Sequence, residues 1–163
     1  MREILFRGKD KDDGNWYEGY YLQLHDTMYC CLPSDNVEEA NRLNKENEHH
    51  YIVFEQMTDW ELPNKHLKAD VLPETVCQYT GLTDKNGRKI FEGDIVLFTD
   101  NIKIKGTTSH TSNVEWNTKI GGFVFHAECI GYYNVNPLQI ERYEVEVIGN
   151  IFDNPELLKG DKE

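Results

Sequence analysis

Apolar and polar positions alternate in short runs along most of the chain, and the runs are separated by Gly, Asn, Asp and Pro clusters. Ile4-Leu5-Phe6-Arg7 and Trp16 to Leu22 flank the polar stretch Gly8–Asn15, which contains Asp13-Gly14, and together they predict a hairpin. Met28 to Leu32 is expected as a third strand ended by Pro33, with Cys30 and Cys31 on opposite faces because strand side chains alternate. The period then changes. Val37, Ala40 and Leu43 are spaced by three behind a possible cap at Asp35, which predicts a short, weakly amphipathic helix within Ser34–Asn47. Glu46 to His50 reads as a solvated loop, Tyr51 to Phe54 as a return to strand, and Trp60 to Pro73 fits neither period.

From Pro73 onward the punctuation is sharper. Asn86-Gly87 lies between short apolar stretches and predicts a hairpin with a type I′ turn. Glu92-Gly93-Asp94 is a second turn leading into Ile95-Val96-Leu97-Phe98, a continuous apolar run of the kind buried on both faces. Further strands are expected at Asn113–Trp116, Gly122–Phe125 and Tyr143–Ile148, the last alternating acid with aliphatic as a closing strand with one wet face. Asn154-Pro155-Glu156-Leu157-Leu158 carries a cap and a Pro at the first helical position, enough for one helical turn. Short strands with Gly- and Asn-rich turns predict a mainly β chain with few short helices, built as a small barrel or sandwich. The expected division is an N-terminal β lobe at 1–72 with an acidic insertion at about 34–50, a C-terminal β domain at 73–158, and a frayed tail at 159–163.

Composition narrows the function classes. A chain of 163 residues buries enough surface to fold without staples. No apolar run approaches a membrane span, and Ile4-Leu5-Phe6 is too short for a signal peptide, so a cytoplasmic protein with no membrane partner is expected. Four cysteines, an adjacent pair plus Cys77 and Cys129, match neither a zinc spacing nor a disulfide framework and fit reduced thiols. The net charge is −12, and half of it falls between Ser34 and Glu61, where eight acids face two bases. That sign disfavours nucleic-acid binding as the main role, because counterion release needs Lys and Arg.

Candidate chemistry is thin. Glu92 and Asp94 are paired carboxylates suited to acid/base work, yet Glu-Gly-Asp equally forms a tight turn in which Asp94 bonds nearby backbone. His49 and His50 with Glu46 and Glu48 offer a divalent-ion site or, more simply, a solvated loop. His25, His66, His110 and His126 are scattered, so a dyad with Cys77 or Cys129 depends on the fold. Seven Phe, nine Tyr and three Trp supply a core or an interface. Tyr79, Trp116 and Phe123, with Phe125, are the candidate binding-face residues, since small barrels bind peptides or bases on aromatic faces, with ordinary core as the alternative. No catalytic residue, metal ligand or cofactor is assigned.

Several blocks resemble the YopX family: Arg2 to Lys9, Trp16 to Gly19, and above all Pro73-Glu74-Thr75-Val76-Cys77-Gln78-Tyr79-Thr80-Gly81-Leu82. Asp84 to Val96 and Glu146 to Leu158 extend the resemblance. It implies a small phage or prophage protein, an SH3-like barrel in the second half, and self-association. Cys77 stands where the resemblance leads one to expect glycine, and the Ser34–His50 stretch has no counterpart in it. The resulting expectation is a non-enzymatic protein of the bacterial cytoplasm that forms a homo-oligomer and binds a host or phage protein. One alternative is a nucleic-acid-binding barrel using Lys103, Lys105 and Lys119; another is an acidic DNA mimic that occupies a host protein.

Overall fold

A computed structural model describes residues 3–29, 36–102, 106–127, 131–134 and 137–159. The protein is mainly β, and it divides into two compact units, Leu5–Val76 and Cys77–Glu163 with Met1–Ile4.

In the first unit β1 (Phe6–Lys9) and β2 (Trp16–His25) form the hairpin expected from the opening pattern, with Phe6 opposite Gly19 and Lys9 opposite Trp16. Asp10 organises its turn, one carboxylate oxygen accepting from the N–H groups of Asp12 and Asp13 at 2.8 and 3.0 Å. Helix α1 (Val37–Glu46) follows, capped by Asn36, whose side chain accepts from the Glu39 N–H. Its cap is therefore Asn36, while Asp35 and most of the expected Met28–Leu32 strand lie outside the described residues. Met28 and Tyr29 are not in a strand; Tyr29 is instead tied to Asn44 of α1 through two hydrogen bonds.

The largest departure here is β3 (Glu48–Gln56), which pairs with β2 along six positions and absorbs the stretch expected as a solvated loop. Glu48, His49 and His50 alternate across a sheet, where each finds a side-chain partner. β4 (Lys65–Asp70) then pairs with β3 and gives structure to the undecided Trp60–Pro73 segment. The resulting order is β4-β3-β2-β1. Ile52, Ala69 and Val71 are buried on the inner face and packed by Phe6, Tyr17, Tyr21, Phe54 and Val76. Gly19 is required here: a Cβ on it would collide with the carbonyl oxygen of Val53 on β3.

In the second unit β5 (Cys77–Thr83) and β6 (Lys89–Phe91) form the expected hairpin. Its turn is not type I′, which needs two consecutive left-handed residues; only Gly87 has positive φ, at 80°. The Gly87 N–H closes on the Asp84 carbonyl, so the glycine follows a turn made by Lys85 and Asn86. β7 (Asp94–Ile102), β8 (Gly106–Asn117), β9 (Gly122–Ala127), β10 (Gly131–Asn134) and β11 (Glu146–Asn150) form an antiparallel sheet of order β10-β9-β8-β7-β11. That ladder does not close on itself.

Central β7 carries the apolar run, with Ile95, Val96 and Phe98 all at 0% exposure. They belong there because β7 is flanked by β8 and β11 and covered on its faces. The closing strand starts at Glu146, three residues later than the pattern placed it. Tyr143 and Val145 are still buried, but Glu144 has φ 47° and interrupts the extended backbone. Ahead of it runs helix α2 (Pro137–Arg142), which the alternation did not announce. Ile140, Tyr143, Val145 and Val147 pack with Phe98, Phe123 and Phe125 in the main core, where the Phe98 and Phe125 rings are 4.8 Å apart. The final helical turn is a 3-10 segment at Pro155–Lys159.

Candidate functional site

The β5–β6 turn is the most organised polar feature of the second unit. Asp84 is buried, and one of its carboxylate oxygens accepts from the N–H groups of Asn86 and Arg88 at 2.8 and 2.9 Å. The other accepts from the Val147 N–H at 3.0 Å. Arg88 Nη1 donates to the Val147 carbonyl at 2.9 Å, and the Lys85 N–H donates to the Val145 carbonyl. The turn thus supplies, mostly from side chains, the hydrogen bonds a neighbouring strand would give to β11. Lys85 also reaches Glu146, Nζ to Oε2 at 2.6 Å. That bond holds the Glu146 carboxyl below its usual range and raises the Lys85 ammonium.

Between this turn and the end of α2 lies an open groove of about 390 Å³, lined by Leu82, Thr83, Asp84, Lys85, Ile140, Glu141 and Glu144. Leu82 and Ile140 belong to the edge of the core and form its apolar floor. Glu141 and Glu144 are exposed. The backbone turn at Glu144, whose N–H points to the Glu141 carbonyl, sets both on one side.

The paired carboxylates expected at Glu92 and Asp94 have different surroundings. Asp94 is 1% exposed and accepts from the Phe91 N–H at 2.7 Å, closing the turn before β7, whereas Glu92 is half-buried.

Of the aromatic candidates, Trp116 and Phe123 come together as cross-strand partners on β8 and β9, edge to face at 5.1 Å. Phe123 is buried and Trp116 is 46% exposed. Lys119 is exposed in the turn joining the two strands; Lys103 and Lys105 lie outside the described residues. Tyr79 is buried on β5 against Phe91, with Lys89 Nζ 5.9 Å from its ring centre. Phe125 is part of the core. Cys77 is buried at the start of β5, while Cys30, Cys31 and Cys129 fall outside the described residues.

In the first unit the neighbours His49 and His50 diverge, as alternation on β3 requires. His50 Nδ1 lies 2.6 Å from the Tyr21 hydroxyl and its Nε2 3.2 Å from Glu48, which also accepts from the Gln23 amide. A neutral ring protonated at Nε2 satisfies both contacts, accepting from Tyr21 and donating to Glu48. Burial, with the Glu48 charge, raises the Tyr21 pKa. On the other face His49 bridges two carboxylates, Nε2 to Asp26 at 3.0 Å and Nδ1 to Asp70 at 3.6 Å. Among the described residues no group of three or more His, Cys, Asp or Glu side chains is arranged to hold a metal ion.

That same outer face carries an apolar stripe along β2. Tyr20, Leu22 and Leu24 are 65%, 42% and 46% exposed, with Val53 and Tyr51 beside them on β3 and Lys68 Nζ 4.0 Å above the Tyr51 ring. The stripe and the Asp84 lock are absent from any short motif, though Tyr20-Tyr21-Leu22-Gln23-Leu24 has the period that would have exposed the stripe. No helix among the described residues is long and apolar enough to cross a membrane.

Comparison with known proteins agrees with this architecture. The family profile described as YopX protein matches residues 5–159. Among solved structures, the crystal structure of protein EF1440 from Enterococcus faecalis is similar, with a TM-score of 0.51 and 22% identity, covering 97% of this chain and 99% of that one. At that identity the likeness is one of fold. No curated protein matches.

Proposed function

The chain belongs to the YopX family, and from that premise we propose that it is a phage or prophage protein of the bacterial cytoplasm that self-assembles and acts by binding another macromolecule, not by catalysis. The observation that carries this reading is the outer face of β2, where Tyr20, Leu22 and Leu24 stand in solvent on consecutive same-face positions. Contiguous exposed apolar side chains on a sheet are a usual mark of an association surface. Each leucine fully buried by a second copy contributes about 1.5–3 kcal/mol. Light scattering of the purified protein at micromolar concentration tests the assembly: an oligomer that Leu22→Glu dissociates supports it, and a strict monomer overturns it.

We read the second unit as an opened SH3-like barrel, a reading supported by its antiparallel strands packed on one aromatic core. Nucleic-acid binding has one observation in its favour, the exposed Trp116 beside the Lys119 turn. A Trp116→Ala variant that binds single-stranded DNA as weakly as the parent would dispose of it.

A further inference from the structure

The groove between the β5–β6 turn and α2 has an apolar floor and an acidic rim, and the two together select a ligand class. Leu82 and Ile140 offer aliphatic surface to anything that enters. The rim carries Glu141 and Glu144, both exposed, and among the described residues neither has a cation within ion-pair distance. Of the nearby positive charges, Lys85 is paired with Glu146 at 2.6 Å and also feels the Glu144 charge, and the Arg142 guanidinium lies over the Tyr143 ring at 5.2 Å. Asp84 faces the groove but directs its carboxylate at three backbone N–H groups. A volume of about 390 Å³ is at the small end of ligand-sized clefts.

We infer that this groove binds the aliphatic cation of a partner polypeptide, a lysine or arginine side chain whose stem lies on Leu82 and Ile140 and whose charge meets Glu141 and Glu144. Long cationic side chains bury their methylenes along apolar surface while the head stays at a polar rim, which is the arrangement the groove offers. An anionic side chain meets the two rim carboxylates, and a purely apolar one leaves them unused. The inference rests on the binding-module reading and gives the partner its chemistry; it concerns the second unit, whereas light scattering of ligand-free protein reads the β2 stripe separately.

The test is an NMR titration of the full chain with blocked tripeptides Gly-X-Gly, where X is lysine, arginine, norleucine or glutamate. The lysine and arginine peptides are expected to shift the amides of residues 82–85 and 140–144 saturably in the millimolar range, with norleucine about three- to tenfold weaker and glutamate without effect. The double variant Glu141→Gln/Glu144→Gln is expected to bring lysine down to the norleucine level. Glu144→Gly, which relieves the positive φ and so retains the fold, is expected to weaken lysine binding as well. Equal binding of lysine and norleucine, shifts confined to other residues, or no shift at all overturns the inference.

Discussion

The Asp84 carboxylate and the Val147 backbone N–H are 63 positions apart in the chain and 3.0 Å apart in the fold. Through this bond the β5–β6 turn is fastened to β11, and Arg88 returns the tie by donating to the Val147 carbonyl. Asp84→Ala removes the acceptor from three N–H groups and is expected to cost about 2–4 kcal/mol. Asp84→Asn keeps one oxygen and turns an amide NH2 on the remaining donors, so about half that loss is expected. Denaturant titration of both variants checks the order; equal stability of Asp84→Ala and the parent would contradict the tie.

Gly19 occupies a place where no side chain fits, because the Val53 carbonyl is backbone and cannot swing away. Gly19→Ala is expected to destabilise the first unit by about 2 kcal/mol or more as β2 and β3 are pushed apart. Loss of amide-exchange protection confined to residues 16–25 and 48–56 would display the effect directly.

The Lys85–Glu146 pair makes stability depend on pH at both ends. Glu146 titrates below its usual 4.5 in the fold, so its contribution is present above that value and is lost as pH falls through the lowered one. Lys85 titrates above 10.5, so its contribution is present below that value and fades as pH rises through the raised one. Lys85→Met is expected to flatten both limbs of a stability-against-pH profile, while a profile of unchanged shape would remove the pair from the account.

Tyr21 donates into His50 from a half-buried site, and its raised pKa places the fold-linked loss of stability on the alkaline side of 10. Tyr21→Phe is expected to cost about 1 kcal/mol at neutral pH. Ultraviolet titration should show one tyrosine fewer ionising late in that variant.

How far the pattern of residues revealed all this depends on the range of the interactions involved. The two hairpins, the apolar β7 and the closing Pro155 turn were legible because each is set by neighbours within a few positions: Asn86-Gly87, Glu92-Gly93-Asp94, Asn154-Pro155. The strand at Glu48–His50 was not, since charged and imidazole side chains look like loop until Tyr21, Asp26 and Asp70 are brought against them. Helix α2 was hidden by its length, six residues with too few turns to display a period. The turn type at Gly87 was misread because Asp84, and not the Asn-Gly dipeptide, governs it through two side-chain bonds to following N–H groups. The groove joins residues 82–85 to 140–144, and no local pattern connects those two stretches.

His49 and His50 are adjacent letters, yet β3 sends one imidazole to each side of a sheet only one layer thick. Each has its own acid: Glu48 for His50, Asp26 and Asp70 for His49. The outer ring stands opposite Leu24, in the apolar stripe, while the inner one reaches Tyr21 at the margin of the core. The doublet therefore serves two surfaces back to back, and replacing either ring leaves the contacts of the other in place.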